Sequence, residues 1–71
     1  MKKKFKCDID CANCAAKVER AISAMDGVHD VKVNFMMQKF TLDADDDCFD
    51  EILHKAIEEG RKIEPDFRVD I

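Results

Sequence analysis

Apolar and polar residues alternate along three short segments of the chain, at 3–8, 28–35 and 39–44. An alternation with a period of two predicts strands that bury one face. A last strand is predicted within 63–71, where the single proline of the chain marks an edge position or a break. The apolar residues of the four strands are Phe5, Cys7, Val31, Val33, Phe35, Phe40, Leu42, Ile63, Phe67, Val69 and Ile71.

Two other segments, 13–25 and 48–59, place their apolar residues at helical spacing. Gly27 and Gly60 follow these segments and are predicted to end the two helices, because glycine readily adopts the left-handed conformation found there. Three aspartates at 45–47 suit the start of the second helix. The apolar faces consist of Ala15, Val18, Ala21, Ile22 and Met25 in the first helix, and of Phe49, Ile52, Leu53, Ala56 and Ile57 in the second.

The order of the predicted elements is β-α-β-β-α-β, with residues 36–38 as a hairpin turn between the second and third strands. Two helices on one face of a four-stranded antiparallel sheet bury all of these apolar stripes together. This arrangement is the α+β, ferredoxin-like βαββαβ sandwich. The chain of 71 residues has neither a linker-like tract nor an internal repeat, which predicts a single domain spanning 1–71.

Composition narrows the classes of function. The chain is 46% hydrophobic and 39% charged, which is typical of a globular domain. Its net charge of -4, from 12 basic and 16 acidic residues, argues against unspecific binding to nucleic acid. The chain shows neither an apolar run long enough to insert in a membrane nor a signal peptide, which indicates a soluble cytoplasmic setting. Its four cysteines are therefore expected to bind metal or to be redox-active rather than to form a disulfide framework.

Cys11-Ala12-Asn13-Cys14 lies between the first strand and the first helix. A helix start offers free N–H groups and a positive dipole end, which favour thiolate over thiol. Two thiolates at this spacing can converge on one metal ion or close a disulfide.

Four interpretations compete for this motif. An exposed metal-transfer site is favoured, and a thioredoxin-like redox pair is less so because the order of elements differs from that fold. A structural zinc site needs four ligands, but His29 and His54 are isolated on other elements. The spacing of Cys7, Cys11 and Cys14 matches an iron–sulfur signature, yet the enzymes that carry it need a large partial barrel.

The sequence resembles the heavy-metal-associated domain family, which includes copper chaperones, mercury-binding proteins and cytosolic domains of heavy-metal P-type ATPases. The resemblance covers nearly the whole chain and implies the same βαββαβ fold. It also implies that Cys11 and Cys14 are the metal ligands and that the ion passes to or from a partner by thiolate exchange. The segments that carry it are 10–19 (DCANCAAKVE), 27–28 (GV), 31–35 (VKVNF) and 56–60 (AIEEG).

Asp10 makes the motif similar to that of the zinc-, cadmium- and lead-exporting branch, since copper-handling members usually have a neutral residue there. Charge supports this assignment. Copper(I) with two thiolates already has a net charge of -1, whereas zinc(II) reaches -1 only when Asp10 joins the two thiolates. The alternative is that Asp10 caps the helix.

Two departures from the family pattern concern the surroundings of the motif. Asp8-Ile9 stands where members usually have Gly-Met, which suggests a loop one residue shorter. Arg61-Lys62 stands where many members have an aromatic residue; one of these cations could neutralise the thiolates, although simple solvation is favoured. Cys7 is expected to point into the core as a small apolar residue, and a role as a third thiolate is the alternative.

These observations predict a metal-binding module without catalytic activity of its own. It is expected to bind one ion per chain, with Zn(II), Cd(II) or Pb(II) favoured over Cu(I), through Cys11, Cys14 and Asp10. The expected context is the cytosolic N-terminal domain of a P-type efflux ATPase, which hands on the ion or senses its level. The alternatives are a free-standing metallochaperone, including one for Cu(I), and a dithiol redox protein. A monomer is expected, with a metal-bridged dimer as the alternative.

Overall fold

The computed structural model describes all 71 residues, and it confirms the predicted ferredoxin-like α+β fold. The four strands form one antiparallel sheet in the order β2-β3-β1-β4. A short 3-10 turn, Asp46–Cys48, precedes the second helix. The elements in chain order are β1 (Lys2–Asp8), α1 (Ala12–Ser23), β2 (Val28–Asn34), β3 (Lys39–Ala44), α2 (Phe49–Ile63) and β4 (Arg68–Asp70).

The core lies between the two helices and one face of the sheet. It contains sixteen buried apolar residues and no buried polar or charged residue, as the period-two and helical patterns predict. Phe40 of β3 is fully buried at its centre. The ring centroid of Phe40 lies 6.3 Å from that of Phe5 and 6.0 Å from that of Phe67, in an edge-to-face arrangement with Phe67. Apolar contact across the sheet therefore joins β1, β3 and the segment before β4.

Helix α1 ends at Ser23, two residues before the predicted end, and the chain turns through 24–27. Gly27 has a φ of +87°, the left-handed conformation predicted for it. A Cβ at Gly27 would also lie 2.6 Å from Cδ1 of Ile52, so space as well as backbone conformation requires glycine.

The prediction that Gly60 ends the second helix is wrong. Helix α2 continues through Gly60 to Ile63, and Glu64 is its C-cap. The stop comes from Pro65, because the residue before a proline is disfavoured in helical geometry, and Glu64 accordingly has φ -131° and ψ 100°. Gly60 serves a packing purpose instead, since a Cβ there would lie 2.6 Å from Cδ2 of Phe67.

The longer helix shortens the last strand. Ile63 lies in the last turn of α2, and Ile71 is 64% exposed beyond the end of β4. Only Phe67, fully buried just before the strand, and the partly buried Val69 keep the predicted inward positions. Neither helix combines the length and the apolar character that spanning a membrane requires.

Candidate metal site

Cys11 and Cys14 lie where the sequence predicts them, at the start of α1. Cys11 is the N-cap residue with an extended backbone (φ -139°, ψ 130°), and its carbonyl accepts the first helical hydrogen bond from Ala15 N–H at 2.9 Å. Cys14 is the third residue of the helix. Both thiols are free and half-buried, and each influences the pKa of the other. The structure therefore brings the two predicted ligands together on a surface that solvent can reach.

The helix start acts on Cys11 as predicted. The pKa of its thiol is lowered, first by a hydrogen bond from the backbone N–H of Cys14, then by the Cys14 thiol and by the backbone N–H of Asn13. These donors are among the N–H groups that a helix leaves without partners in its first turn. Cys11 is thus the thiol that ionises first.

The prediction that the helix start also lowers the pKa of Cys14 is wrong. Interaction with the Glu64 carboxylate, followed by that with Cys11 and by desolvation, raises the pKa of Cys14 to about 11. Near neutral pH the Cys14 thiol therefore keeps its proton, and Cys11 is the thiol of the pair that loses its proton more easily.

Glu64 is the functional candidate that the sequence analysis missed. Its backbone is held at the end of α2, because its N–H donates to Gly60 O at 2.9 Å and its carbonyl accepts from Phe67 N–H at 2.9 Å. Its carboxylate is half-buried and also accepts from Asp66 N–H at 3.4 Å. The sequence feature that could have indicated Glu64 is Pro65, because the residue before a proline is a probable helix end.

The neighbouring cations do not neutralise the site. Arg61 Nε donates to Phe67 O at 3.2 Å, and Lys62 Nζ pairs with Glu59 at 3.0 Å. Both side chains are exposed, in agreement with the favoured interpretation that they are solvated. The charge that the end of α2 brings to the cysteines is therefore negative, from Glu64.

Asp10 and Cys7 do not join the pair as the structure stands. Asp10 is exposed in the loop between β1 and α1, and no side chain caps the helix, so the capping alternative is not realised. No three side chains among Cys, His, Asp and Glu are close enough together to hold an ion. Cys7 is 5% exposed within the core, and burial raises the pKa of its thiol. The ligand roles of Asp10 and Cys7 stay predictions.

Gln38 holds the loop that precedes the cysteines. Its side-chain amide accepts from Ile9 N–H at 2.8 Å and donates to Ile9 O at 2.9 Å and Phe35 O at 2.7 Å. Its backbone carbonyl accepts from Cys7 N–H at 2.9 Å. Ile9 itself is buried, so the loop is fixed by apolar packing and by this amide. From the sequence, Gln38 is predicted only as part of a hairpin turn, because its contact with Ile9 joins residues far apart in the chain.

The model of the heavy-metal-associated domain family matches residues 4–62. The chain therefore belongs to the heavy-metal-associated domain family, a family of metal-binding domains, as the resemblance of its motifs indicates.

Among curated relatives, the zinc/cadmium/lead-transporting P-type ATPases of Escherichia coli (strain K12) and Shigella sonnei (strain Ss046) are each 49% identical over 39 residues. The matched segment is 55% of this chain and 5% of each ATPase. The chain thus corresponds to a small part of those relatives.

Solved structures of similar fold include the CopZ metallochaperone, with a TM-score of 0.74 and 18% identity, covering 99% of this chain and all of that one. A copper-bound variant of CopA from Bacillus subtilis has a TM-score of 0.74 and 23% identity, with 100% of this chain and 90% of that one covered. Oxidized MerP from Ralstonia metallidurans CH34 has a TM-score of 0.69 and 20% identity, and both chains are covered completely. Identities this low establish the shared fold alone.

Proposed function

We propose that this domain binds one divalent ion, Zn(II), Cd(II) or Pb(II), and passes it to or regulates a P-type heavy-metal efflux ATPase. Cys11 and Cys14 bind the ion, and Asp10 adds a carboxylate. The observation that carries the proposal is the placement of two free, half-buried thiols at the start of α1, where each influences the pKa of the other. The domain has no catalysis of its own; transport and ATP hydrolysis would belong to other parts of a parent chain, on whose cytosolic side it would lie.

The preference for a divalent ion is argued from charge. Two thiolates neutralise a divalent ion, and one carboxylate then brings the site to -1, whereas copper(I) with two thiolates is already at -1. Glu64 lies beside Cys14, so a copper(I) site here would have a further negative charge against it. The resemblance of the matched segment to zinc/cadmium/lead-transporting ATPases supports the same preference.

Transfer by thiolate exchange is favoured by the placement of the pair. Cys11 is half-buried, so a partner can reach it. Its lowered pKa favours the thiolate, which is the form of cysteine that binds a metal ion. Zinc sites with three protein ligands keep one position open, through which a ligand of a partner could enter. The partner would present its own thiolates or carboxylates at this end of the molecule.

The test is an anaerobic competition between buffered Zn(II) and Cu(I) on the reduced protein, with alkylation of each cysteine followed by mass spectrometry. Zn(II) should protect Cys11 and Cys14 at one ion per chain and leave Cys48 unprotected as the internal control. Asp10→Ala should weaken zinc binding, while Cys48→Ser should leave it unchanged.

Other outcomes would contradict the proposal. Protection by Cu(I) alone, with no effect of Asp10→Ala, would identify a copper handler such as a free-standing metallochaperone. Protection of Cys7 together with the pair would indicate a three-thiolate site. A Cys11–Cys14 disulfide that forms at cytosolic redox poise despite buffered zinc would favour the dithiol redox protein.

A further inference from the structure

The face of the sheet that the helices leave uncovered carries a group of unpaired lysines. Its side chains alternate along the strands with the buried residues of the core. Four of these lysines surround a depression of about 340 Å³, and none of them forms an ion pair with a carboxylate. This lysine cluster consists of Lys4, Lys6, Lys32 and Lys39.

The strand register places these lysines close to one another. Lys6 of β1 lies directly opposite Lys39 of β3, and Lys4 and Lys32 flank Thr41 from either side. Like charges directly opposite each other on neighbouring strands destabilise a sheet. Departures of this kind from a local rule are expected at functional sites, so the lysine cluster indicates a surface with a role beyond folding.

Charge on this face is separated along the strands. The lysine cluster lies towards the hairpin of residues 35–38, whereas Asp30 lies opposite Asp43 towards the other end. A flat anionic membrane or a long nucleic acid would extend over both ends and meet the carboxylates as well as the lysines. All four cations are lysines, which lack the planar fork with which arginine binds phosphate. The arrangement therefore favours a compact partner whose carboxylates contact the lysine end alone.

The lysine cluster lies next to the loop that carries the cysteines. Lys39 begins β3 directly after the hairpin, and Gln38 of that hairpin binds both backbone groups of Ile9. Met37 lines the depression and is 66% exposed, while Met36 is 87% exposed. The two methionines therefore offer apolar contact where the charged face meets the cysteine loop.

We propose that the lysine cluster and the two exposed methionines dock a compact acidic surface of a partner protein, with Asp and Glu side chains around an apolar contact. The inference rests on the proposed function for its purpose, because a partner held here lies beside the loop of the cysteine pair that exchanges the ion. Docking itself needs no metal. The lysines attract the partner through charge, and Met36 and Met37 provide short-range contact once it arrives.

The test uses a short fluorescent peptide rich in glutamate, with one central leucine, and the reduced, metal-free protein. Fluorescence anisotropy measures the affinity, and amide shifts in NMR spectra of the isotope-labelled protein locate the peptide. The shifts should concentrate at the lysine cluster and the hairpin. Lys32→Gln combined with Lys39→Gln should weaken binding by about fivefold at low salt. The loss should shrink at about 0.15 M salt, where the Debye length is about 8 Å.

The matched control is Lys17→Gln combined with Lys55→Gln, which removes the same charge from exposed positions on the two helices. This control should leave peptide binding nearly unchanged. Equal weakening by the two pairs of substitutions would indicate an effect of net charge alone and would overturn the inference.

Thermal unfolding separates docking from a structural role. Because Lys39 faces Lys6 across the strands, Lys32→Gln combined with Lys39→Gln should raise the Tm by about 1–5 °C while it weakens peptide binding. A lower Tm would show that the lysines serve the fold, and the inference would then fail.

The class of partner is tested with two other polyanions. Vesicles of equal parts phosphatidylserine and phosphatidylcholine, and a short DNA duplex, should bind more weakly than the peptide. Tighter binding of either would identify a phosphate-bearing partner and overturn the inference. Absence of peptide binding would remove the docking surface and leave the proposed function intact. Failure of zinc to protect Cys11 and Cys14 would instead remove the proposed function while peptide binding still stands.

Discussion

Cys11 and Cys14 are chemically unequal although only two residues separate them. Cys11, as the N-cap residue, receives the backbone N–H groups of the first turn, and these stabilise its thiolate. Cys14 lies inside that turn, where the Glu64 carboxylate raises the pKa of its thiol. The same helix start thus produces one nucleophilic sulfur and one sulfur that keeps its proton.

This inequality predicts the order in which the cysteines react. Alkylation of Cys11 should accelerate at lower pH than that of Cys14, whose rate should still rise as the pH approaches 11. Residue-resolved mass spectrometry after short alkylation pulses across this range measures both midpoints. In Glu64→Gln the Cys14 midpoint should move down, and a Cys14 that ionises before Cys11 in the unmodified protein would contradict the assignment.

At the scale of elements, the end of α2 determines what faces the cysteines. The helix passes through Gly60, where Phe67 leaves no room for a Cβ, and it ends before Glu64 because the residue before Pro65 disfavours helical geometry. A helix that ended at Gly60 would place Glu64 differently. Packing at Gly60 and the position of the carboxylate are thereby linked.

Gly60→Ala should lower the free energy of unfolding by about 1–3 kcal/mol, because overpacking against Phe67 outweighs the gain of about 1 kcal/mol that alanine normally brings to a helix. Urea denaturation measures the change. Phe67→Leu combined with Gly60→Ala should cost less than the sum of the two single substitutions, since a smaller side chain makes room for the new methyl group. A stabilised Gly60→Ala variant would refute the packing role.

The hairpin between β2 and β3 is joined to the cysteine loop by Gln38. Gln38→Ala should cost about 1–3 kcal/mol, because it leaves Ile9 N–H and Ile9 O without their partners. Hydrogen exchange at the Ile9 amide should accelerate. Gln38 has a φ of +54°, so Gln38→Gly serves as the control that relieves the backbone but still removes the amide. If Gln38→Gly keeps slow exchange at Ile9, the side chain is not what holds the loop.

At the scale of the whole molecule, a small core makes the fold sensitive to what it binds. Sixteen buried apolar residues in a chain of 71 leave a modest margin of stability. A ligand that binds only the folded state adds about 2.7 kcal/mol at a free concentration of one hundred times its Kd. Metal binding at one end should therefore be visible in the unfolding of the whole domain.

Buffered Zn(II) at that concentration should raise the Tm by roughly 10–20 °C, given about 4–8 °C per kcal/mol for a domain of this size. Calorimetry with and without zinc measures the shift. Cys14→Ser should abolish the shift and Cys48→Ser should preserve it. A shift that survives in Cys14→Ser would place the metal elsewhere.

Zinc affinity should rise with pH, because the proton on Cys14 must leave before its sulfur can bind. The pKa of Cys14 is raised to about 11, so this proton is present throughout the range from about pH 6 to pH 8. The apparent affinity should increase by about tenfold or more per pH unit over that range. Competition with a chelator of known pH dependence tests this, and an affinity independent of pH would exclude the thiol of Cys14 as a ligand.

The sequence by itself was sufficient to predict the order of the elements, from its periodicity, and the pair of cysteines, from the spacing of Cys11 and Cys14. Strand and helix periods depend on neighbours along the chain, and Cys11 and Cys14 meet because residues three apart at a helix start lie on the same side. Even the glycine at 27 could be interpreted locally, since its φ of +87° is a backbone requirement. These features were within reach because the interactions that produce them are short-range.

The surroundings of that pair depend instead on long-range packing. Glu64 is fifty positions from Cys14, and Gln38 is 29 positions from Ile9, so only the packing of α2 and of the hairpin against β1 brings them to the loop. The predicted end of α2 was wrong for the same reason. Glycine at position 60 is required by the close approach of Phe67, a tertiary contact, and not by a helix end. Local sequence specifies which sulfurs lie together, whereas the three-dimensional fold specifies which carboxylate faces them and which sulfur keeps its proton.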